Sequence, residues 1–426
     1  MITKIKSLTN SPDKKRLMSN FFSLSILQAF TYILPLLTLP YLVRVLGVEL
    51  FGLVMFAQAF IMFFNILVDY GFNLSATREI SIHRDNKEKI TEIFSSVMMI
   101  KFILIGVSFV ILSIIVVSFE KFSSHWELYC LTFLWVIGQA MFPIWYFQGL
   151  ERMKYITIVN IISKLIFTIA IFIFIQEESD YILVPLLNGL GFMVGGVISL
   201  WIAYRQFNQK FKPQSIQTMM IHFKDSSQFF LSRVSVSIYT SANAFVLGLF
   251  TSNTMVGYYS IAEKLYQAMQ GLYHPIVNTI YPYLAKSKNI LFYYKLFIVI
   301  FIINIIGVMF VYLFSKEIID ILFNITDVEV NTILLILVTS SILHVPAILL
   351  GYPLLAAFGY PKYANLTVIQ SSLVHLTGLG ILSFFGMISI YSVAVMVLIT
   401  ETTVFFTRLH YSKKTGLILK GANKNE

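Results

Sequence analysis

One strongly apolar stretch of the chain carries four polar side chains at helical spacing. They follow one another at intervals of four, three and four residues: Glu263, Gln267, Gln270 and His274. This spacing predicts that all four lie on one continuous face of a helix. Such a face can bind a polar or charged cargo. The alternative interpretation is that these side chains hydrogen-bond closely packed helices to one another.

A corresponding polar stripe lies 205 positions earlier. In chain order it is the first stripe, and the stripe that begins at Glu263 is the second. Three of the four positions of the first stripe are again polar: Gln58, Met62, Asn65 and Asp69. The same offset relates Gly52 to Gly257 and Gln28 to Arg233. Two stripes related by a repeat favour a shared, hydrated central cleft over local helix packing. We predict that six polar residues line this cleft: Gln28, Gln58, Asn65, Gln267, Gln270 and His274.

Four basic side chains also fall inside apolar stretches, where a charge costs at least about 2.5 kcal/mol by insertion scales. They are Lys101, Lys164, Arg233 and Lys264. Lys101 and Arg233 lie near the ends of their stretches, so the alternative is that they extend to the membrane surface. Lys164 and Lys264 lie nearer the middle, which favours a water-filled cavity. We predict that all four line the cleft.

Three acids share these apolar stretches: Asp69, Glu263 and Glu401. Asp69 and Glu263 belong to the two polar stripes, so each can face the cleft. We predict that these two acids exchange a proton or bind Na⁺ during a transport cycle. The alternative is a fixed ion pair with another helix, which would keep the acid charged throughout.

The composition requires that a membrane surrounds these residues. Of the 426 residues, 57% are hydrophobic and 12% are charged, about half the charged share of a soluble domain. Apolar stretches of about 20 residues, long enough to cross a bilayer, recur along the whole chain. We predict twelve spans, centred on residues 19–46, 50–76, 93–119, 127–149, 155–175, 181–204, 227–250, 254–284, 290–314, 329–353, 363–385 and 388–410.

The repeat defines the arrangement of these spans. Besides Gly52 and Gly257, a second pair of matching segments is Lys154-Tyr155 and Lys362-Tyr363, at an offset of 208 that is close to half the chain. Six spans per half is an even number, so both halves share one orientation in the membrane and the repeat is parallel. We predict an all-α membrane protein built as a two-lobed transporter. Its predicted parts are an N-terminal tail (1–18), a six-helix lobe (19–204), a linker (205–225), a second six-helix lobe (226–410) and a C-terminal tail (411–426).

The basic residues indicate the orientation of the chain. Apart from the four cations named above, 24 Lys and Arg residues are assigned to the two tails and alternate loops, including residues at span ends, whereas only Arg44, Lys121 and Lys316 are assigned to the opposite side. Loops rich in Lys and Arg stay in the cytoplasm. We therefore predict that both termini and the linker between the lobes are cytoplasmic.

Motifs of soluble enzymes are absent from the sequence. Gly47 and Gly52 have the P-loop spacing but lack the Lys-Ser/Thr that must follow, which argues against ATP hydrolysis. Gly191 and Gly195 lie inside a span and predict a close helix contact. Cys130 is the only cysteine, so no intramolecular disulfide can form. We predict no cofactor and no metal site, and no nucleic acid partner, because the basic residues flank spans and form no single basic face.

Four segments of the first half resemble the Wzx-type O-antigen flippases, the polysaccharide-transporter branch of the superfamily that also holds the multidrug and toxic-compound exporters (MATE). These segments are LTLPYLVRVLG (37–47), FGLVMFAQAF (51–60), DYGFNLSATREIS (69–81) and PIWYFQGLERMKY (143–155). In the second half the resemblance depends mainly on VGYYSIAEK (256–264) and LLAAFGYPKY (354–363).

The resemblance implies a V-shaped pair of six-helix lobes. It also implies that the protein is a transporter of the bacterial inner membrane and not an enzyme. The implied cargo is an undecaprenyl-pyrophosphate-linked oligosaccharide, which moves from the cytoplasmic to the periplasmic leaflet by alternating access. Its anionic head group is the expected contact of the four intramembrane cations, Lys101, Lys164, Arg233 and Lys264. A polymerase and a chain-length regulator are implied partners, and H⁺ or Na⁺ the implied coupling ion.

Two other functions compete with this one. A MATE-type exporter of small molecules shares the superfamily, but lipophilic cations would favour an acidic cavity over a basic one. A membrane-embedded O-antigen polymerase or glycosyltransferase would need a large external loop with catalytic groups. The longest external stretch, about 315–328, is too short for such a loop.

Overall fold

A computed structural model describes residues 12–418, with side chains at all of these positions except 12–29, 32–33 and 231–241. Every regular element in this part of the chain is a helix. The helices of the first half are α1 (Pro12–Asp69), α2 (Phe72–Ile82), α3 (Lys87–Ser118), α4 (Glu120–Ser123), α5 (Trp126–Met141), α6 (Ile144–Gly149), α7 (Met153–Phe174) and α8 (Leu183–Gln206).

The second half begins with a helix of 35 residues. Its helices are α9 (Ile216–Phe250), α10 (Asn253–Gly271), α11 (His274–Ser287), α12 (Ile290–Phe323), α13 (Val328–Leu349), α14 (Pro361–Phe384) and α15 (Ile390–Lys414). A short 3₁₀ helix (Glu178–Ile182) precedes α8, and a π-helix (Leu350–Ala356) follows α13.

Polar side chains cap several of these helices. The Asn86 side chain accepts a hydrogen bond from the backbone nitrogen of Lys89 at 3.0 Å at the start of α3. Asn289 caps α12 in the same way, through Phe292 at 2.9 Å. Each cap satisfies a backbone donor that the first turn of the helix leaves without a partner. The long apolar helices therefore begin at defined residues.

Nine helical stretches among the described residues are long and apolar enough to cross a membrane, and the chain is a multi-pass membrane protein. One of them, Leu34–Ile82, has 49 residues and is broken at Gly47, whose φ is 70° and ψ 166°. This break lies between the first two predicted spans. The predicted seventh and eighth spans fall on α9, α10 and α11, which are not among the nine. The count of twelve spans remains a prediction.

The chain divides into two compact units. Unit 1 comprises Met1–Thr38 and Ala57–Val234, and unit 2 comprises Leu39–Phe56 and Ser235–Glu426. Their boundaries fall inside α1 and α9, so these two helices belong to both units. The centre of unit 1 is aromatic, because the Phe94 ring lies 5.7 Å from Trp145 and 5.3 Å from Tyr146.

The predicted helix contact at Gly191 and Gly195 is confirmed within unit 1. A β-carbon at Gly191 would lie 2.9 Å from the carbonyl oxygen of Ser163, and one at Gly195 would clash with the Ser163 hydroxyl. The two glycines therefore allow α8 to approach the backbone of α7, as small residues do between membrane helices.

Candidate functional site

Unit 2 contains a cavity of about 120 Å³ at the centre of the predicted second stripe, and most of the residues that line it have polar groups. Helices α9, α10, α13, α14 and α15 each contribute to its wall. The lining residues are Asn243, Tyr259, Glu263, Tyr266, Gln267, Gln270, Leu337, His344, His375, Val397, Thr400 and Glu401. Two carboxylates and two imidazoles thus share one small cavity between apolar helices. Ionisable groups are costly to bury in a membrane, and where they occur they usually mark a functional site.

Three helices meet at His375, which is 1% exposed. Its Nδ1 lies 2.7 Å from the Thr400 hydroxyl on α15, and its Nε2 lies 2.9 Å from Asn243 Oδ1 on α9. The Thr400 hydroxyl donates to the carbonyl oxygen of Met396, so His375 Nδ1 must be the donor to Thr400. His375 Nε2 therefore faces the Asn243 amide, which offers an acceptor or, when flipped, a donor. The imidazole can be held neutral or charged.

The second imidazole of the cavity lies beside a carboxylate. His344 Nδ1 is 2.9 Å from Glu401 Oε2, and both side chains are largely buried, at 17% and 10% exposure. The two groups are close enough for an ion pair when the imidazole is protonated, but they are not aligned as a hydrogen bond. One proton on His344 would therefore change the net charge of this side of the cavity.

Three of the four residues of the second stripe line the cavity: Glu263, Gln267 and Gln270. The Glu263 side chain is half-buried and lies beside Tyr259 and Asn243. His274 is not among the lining residues, and it begins the next helix, α11. The predicted face is therefore found for Glu263, Gln267 and Gln270, whereas the prediction that His274 continues it on the same helix is wrong.

Lys264 lies next to the cavity without lining it. Its side chain is half-buried, and its Nζ donates to Gln267 Oε1 at 3.4 Å. This cation therefore contacts the amide of a residue that does line the cavity. The predicted contact with an anionic head group remains a prediction.

Unit 1 pairs a predicted head-group cation with a predicted coupling acid. Lys101 Nζ lies 3.5 Å from Asp69 Oδ1, and the lysine side chain is only 4% exposed. The short distance matches the fixed ion pair that was the alternative interpretation for Asp69. Lys101 can contact a head group only if this pair opens.

Lys164 has a different environment in the same unit. Its half-buried side chain donates from Nζ to the Thr31 hydroxyl at 2.8 Å. Gln58 and Asn65 of the first stripe are half-buried too. The side chains of Gln28 and Arg233 lie outside the described residues. The structure therefore brings Lys164 to a hydroxyl group, whereas it brings Lys101 to a carboxylate.

Sequence reasoning missed most partners of Glu263. Asn243, His344, His375 and Thr400 lie on four helices other than α10, and each shares the cavity with Glu263. A lone histidine inside a span is the one signal that could have identified His344 and His375, because ionisable residues at that depth are rare. Within the described residues, no group of three or more His, Cys, Asp or Glu is arranged to hold a metal ion.

The fold is shared with solved membrane transporters. The lipid II flippase MurJ in its inward closed conformation aligns with a TM-score of 0.70 and 15% identity, over 91% of this chain and 87% of that one. A multidrug resistance MATE family transporter of the MOP superfamily, in its inward-facing conformation, aligns with a TM-score of 0.68 and 15% identity, over 92% and 96%. The fold is therefore that of the MATE-like transporters and flippases.

The sequence narrows this class to one family. Residues 17–288 match the family described as polysaccharide biosynthesis protein, and the chain belongs to that family. A protein of Escherichia coli (strain K12) named "Putative O-antigen transporter" is 33% identical over 275 residues, which are 65% of this chain and 66% of the relative. A Shigella dysenteriae protein of the same name is 28% identical over 270 residues, which are 63% of this chain and 68% of the relative.

These matches confirm the predicted resemblance. The chain covers just under two thirds of the first relative's length. Both relatives carry the name of a transporter, and the solved structures are of transporters and a flippase. The chain is thus similar in sequence to proteins named as transporters and similar in fold to transporters and a flippase.

Proposed function

We propose that this protein is a flippase for undecaprenyl-pyrophosphate-linked oligosaccharide repeat units, which it moves from the cytoplasmic to the periplasmic leaflet of the bacterial inner membrane. The observation that carries this proposal is the 33% identity to a protein named as an O-antigen transporter. The physical need is clear, because sugar hydroxyls and a pyrophosphate each cost several kcal/mol without partners in hydrocarbon. A polar path through the protein lowers that barrier.

The proposed architecture has twelve spans in two six-helix lobes with both termini in the cytoplasm. Nine apolar helical stretches support it, and so does the break at Gly47, which turns the first stretch into parts of two spans. The proposed parts keep the predicted bounds at 1–18, 19–204, 205–225, 226–410 and 411–426. In this arrangement the lobes rock to alternate access to the two sides, while the lipid tail stays in the bilayer.

The proposed head-group contacts are basic side chains. Lys164 is the best supported, because its ammonium is half-buried and contacts a neutral hydroxyl on Thr31. Lys264 contacts the amide of Gln267 at the edge of the cavity. Lys101 would contribute after separation from Asp69, and Arg233 is proposed from the repeat alone. A pyrophosphate can accept hydrogen bonds from several such cations at once.

The proposed coupling site is the cavity of unit 2, with Glu263 as its first acid. The neighbouring His344, His375 and Glu401 support binding of H⁺ or Na⁺ there, because they offer further groups whose charge can change as access alternates. Asp69 is the corresponding acid of unit 1, and its ion pair with Lys101 makes it the less favoured of the two. A polymerase and a chain-length regulator are the proposed partners that receive the flipped units.

A second candidate function is the export of small molecules. Its support is the fold, since a multidrug resistance MATE transporter aligns over 96% of its own length. The basic side chains of the predicted cleft disfavour lipophilic cations as cargo. Drug sensitivity of cells that overexpress the protein separates the two functions, because an exporter raises resistance and a flippase for sugar lipids does not.

The decisive test is deletion of this gene in the bacterium that carries it. We expect loss of surface polysaccharide and accumulation of lipid-linked repeat units in the inner membrane, both reversed by a plasmid copy. A plasmid copy with Lys164→Arg keeps the positive charge at this position, so it should also restore surface polysaccharide. Normal surface polysaccharide in the deletion strain, with no other flippase gene present, would contradict the proposal.

A further inference from the structure

A π-helix follows α13 in unit 2, and the proposed function gives it no role so far. The π-helix Leu350–Ala356 contains Gly351, whose ψ is −107°, and Pro353. Pro346 precedes it in the last turn of α13. π-helical turns are rare and occur mostly at functional sites. In a membrane protein, irregular backbone is tolerated only where it is buried in protein or lines a cavity.

A buried arginine packs against this segment. Arg408 of α15 is 7% exposed; its Nη1 donates to the carbonyl oxygen of Ala347 at 2.7 Å and its Nε to the Thr367 hydroxyl at 3.2 Å. The guanidinium lies against Gly351, where a β-carbon would be 2.7 Å from Nη1. Burial of a guanidinium between helices is expensive. These contacts join α15 to the last turn of α13 and to α14, directly beside the π-helix.

The deformed segment exposes a single side chain. Six of its seven residues are buried, whereas Tyr352 is 47% exposed. The Tyr352 hydroxyl donates to Asn365 Oδ1 at 2.8 Å, and its ring lies edge-on to Tyr281, with centroids 5.9 Å apart and planes at 76°. The ring is thus oriented from two sides by other helices. It is a preorganised aromatic surface with an amide beside it.

We propose that Tyr352 stacks against a sugar ring of the lipid-linked oligosaccharide, while the Asn365 amide donates to a sugar hydroxyl. This inference rests on the proposed flippase function and names a sugar contact for it. A pyranose presents one face of C–H groups and a rim of hydroxyls, so it needs an apolar flat surface and a polar group next to it. Tyrosine supplies such a surface with little entropy to lose.

Surface polysaccharide in the deletion strain tests this contact. Plasmids encode the wild type, Tyr352→Phe, Tyr352→Leu and the control Tyr360→Leu, which removes a ring of similar exposure outside the π-helix. At equal abundance in the membrane we expect Tyr352→Leu to lower the rate of polysaccharide display about tenfold, as loss of an aromatic contact of ~1.4 kcal/mol does. Tyr352→Phe and Tyr360→Leu should stay within about threefold of the wild type.

The outcomes separate the two proposals. If the wild-type plasmid leaves display unchanged, the flippase function itself fails and the sugar contact fails with it. If the wild type restores display and Tyr352→Leu does so at the same rate, only the sugar contact is overturned.

A second measurement remains available if Tyr352→Leu does not accumulate. The full chain with Tyr352→Trp is reconstituted into vesicles, and its fluorescence is compared with that of the wild type, which carries four tryptophans. Oligosaccharide released from the host's own surface polysaccharide is the probe, and we expect it to change the emission of the added indole. Strong quenching by brominated phospholipid, with no response to the oligosaccharide, would identify a ring that faces lipid and would overturn the inference.

Discussion

Gly52 and Gly257 lie against each other within unit 2. A β-carbon at Gly52 would lie 2.7 Å from the backbone nitrogen of Gly257 and would clash with the carbonyl oxygen of Asn253. A β-carbon at Gly257 would in turn clash with the carbonyl oxygen of Val48. The 205-residue repeat pairs these same two glycines. Equivalent residues of the two halves thus meet at one crossing between the part of α1 after Gly47 and the start of α10.

Gly52→Ala should destabilise the protein because the obstructing atoms belong to the backbone and cannot move aside cheaply. Forcing a methyl group into a packed contact costs about 1–3 kcal/mol. We expect the apparent unfolding temperature of the purified protein to fall by several degrees in a thermal scan, and we expect Gly257→Ala to act in the same direction.

Gly106→Ala is the matched control for both substitutions. Nothing lies within 4 Å of a β-carbon at Gly106, in the middle of α3. Alanine is favoured over glycine in a helix by about 1 kcal/mol, so this change should leave the unfolding temperature unchanged or raise it. An equal response of Gly52 and Gly106 to alanine would show that the glycine crossing is not tightly packed.

Substitutions of Lys101 and Asp69 should have non-additive effects on the free energy of unfolding. Removal of one partner from a buried ion pair leaves an uncompensated charge and costs about 3–5 kcal/mol. Lys101→Met and Asp69→Asn should therefore each destabilise the protein, while the double variant should be more stable than the sum of the two effects implies. A double-mutant cycle on unfolding measures this coupling. Strict additivity would mean that the two groups do not interact in the folded protein.

Lys164 should respond to substitution differently from Lys101, because Lys164 contacts a neutral hydroxyl and not a carboxylate. Lys164→Gln removes a charge but keeps a donor for Thr31, so we expect normal abundance in the membrane and a reduced rate of flipping. Arg233→Gln should have the same effect if Arg233 contacts the head group, and Lys164→Arg should retain most activity. Surface polysaccharide at matched abundance is the measurement. Wild-type display by both glutamine variants would mean that neither cation is needed for the cargo.

The α10 part of the polar stripe was predictable because it depends on spacing within a single helix. Glu263, Gln267 and Gln270 line one cavity as their intervals indicate, and the stripe ends where α10 ends at Gly271. His274 continued the pattern in the sequence but begins another helix. A four-residue interval cannot reveal that two helices meet between its ends.

The partners on other helices could not be predicted because one sequence does not specify which helices are neighbours. Arg408 shows this most clearly. It lies six residues before the end of α15, so in the sequence it belonged with the cytoplasmic basic residues that set orientation. In the structure it is buried and bonded to α13 and α14. The sequence likewise left open whether Lys101 lines the cleft or extends to the membrane surface, and it could not show that Lys101 lies 3.5 Å from Asp69.

The predicted orientation can be tested with reporter fusions. The 24-to-3 distribution of basic residues predicts that a phosphatase fused after Gln209 stays inactive in the cytoplasm, whereas one fused after Glu178 is active outside. A fluorescent protein that matures only in the cytoplasm should give the opposite pattern. Strong phosphatase activity at Gln209, or none at Glu178, would reverse the orientation and remove the proposed direction of transport.

The two proposed coupling acids, Glu263 and Asp69, have very different surroundings. Glu263 lies in a cavity with two imidazoles and a second carboxylate, whereas Asp69 is paired with a buried lysine. A permanent ion pair would hinder a carboxylate that must gain and lose a cation during each cycle, because the paired cation keeps the carboxylate charged. We therefore expect Glu263→Gln to abolish the dependence of flipping on an ion gradient. Asp69→Asn should lower protein stability and leave that dependence in place.

Vesicles that contain the purified protein and the lipid-linked oligosaccharide of the host measure this dependence, with a proton or sodium gradient imposed separately. Glu178→Gln is the control, because this exposed carboxylate lies in the short 3₁₀ helix before α8. Glu401→Gln removes the partner of His344 and should weaken the response to the gradient without reducing binding of the cargo. Gradient-dependent flipping by Glu263→Gln at the wild-type rate would exclude this acid as the coupling group, because a neutral amide cannot exchange the ion.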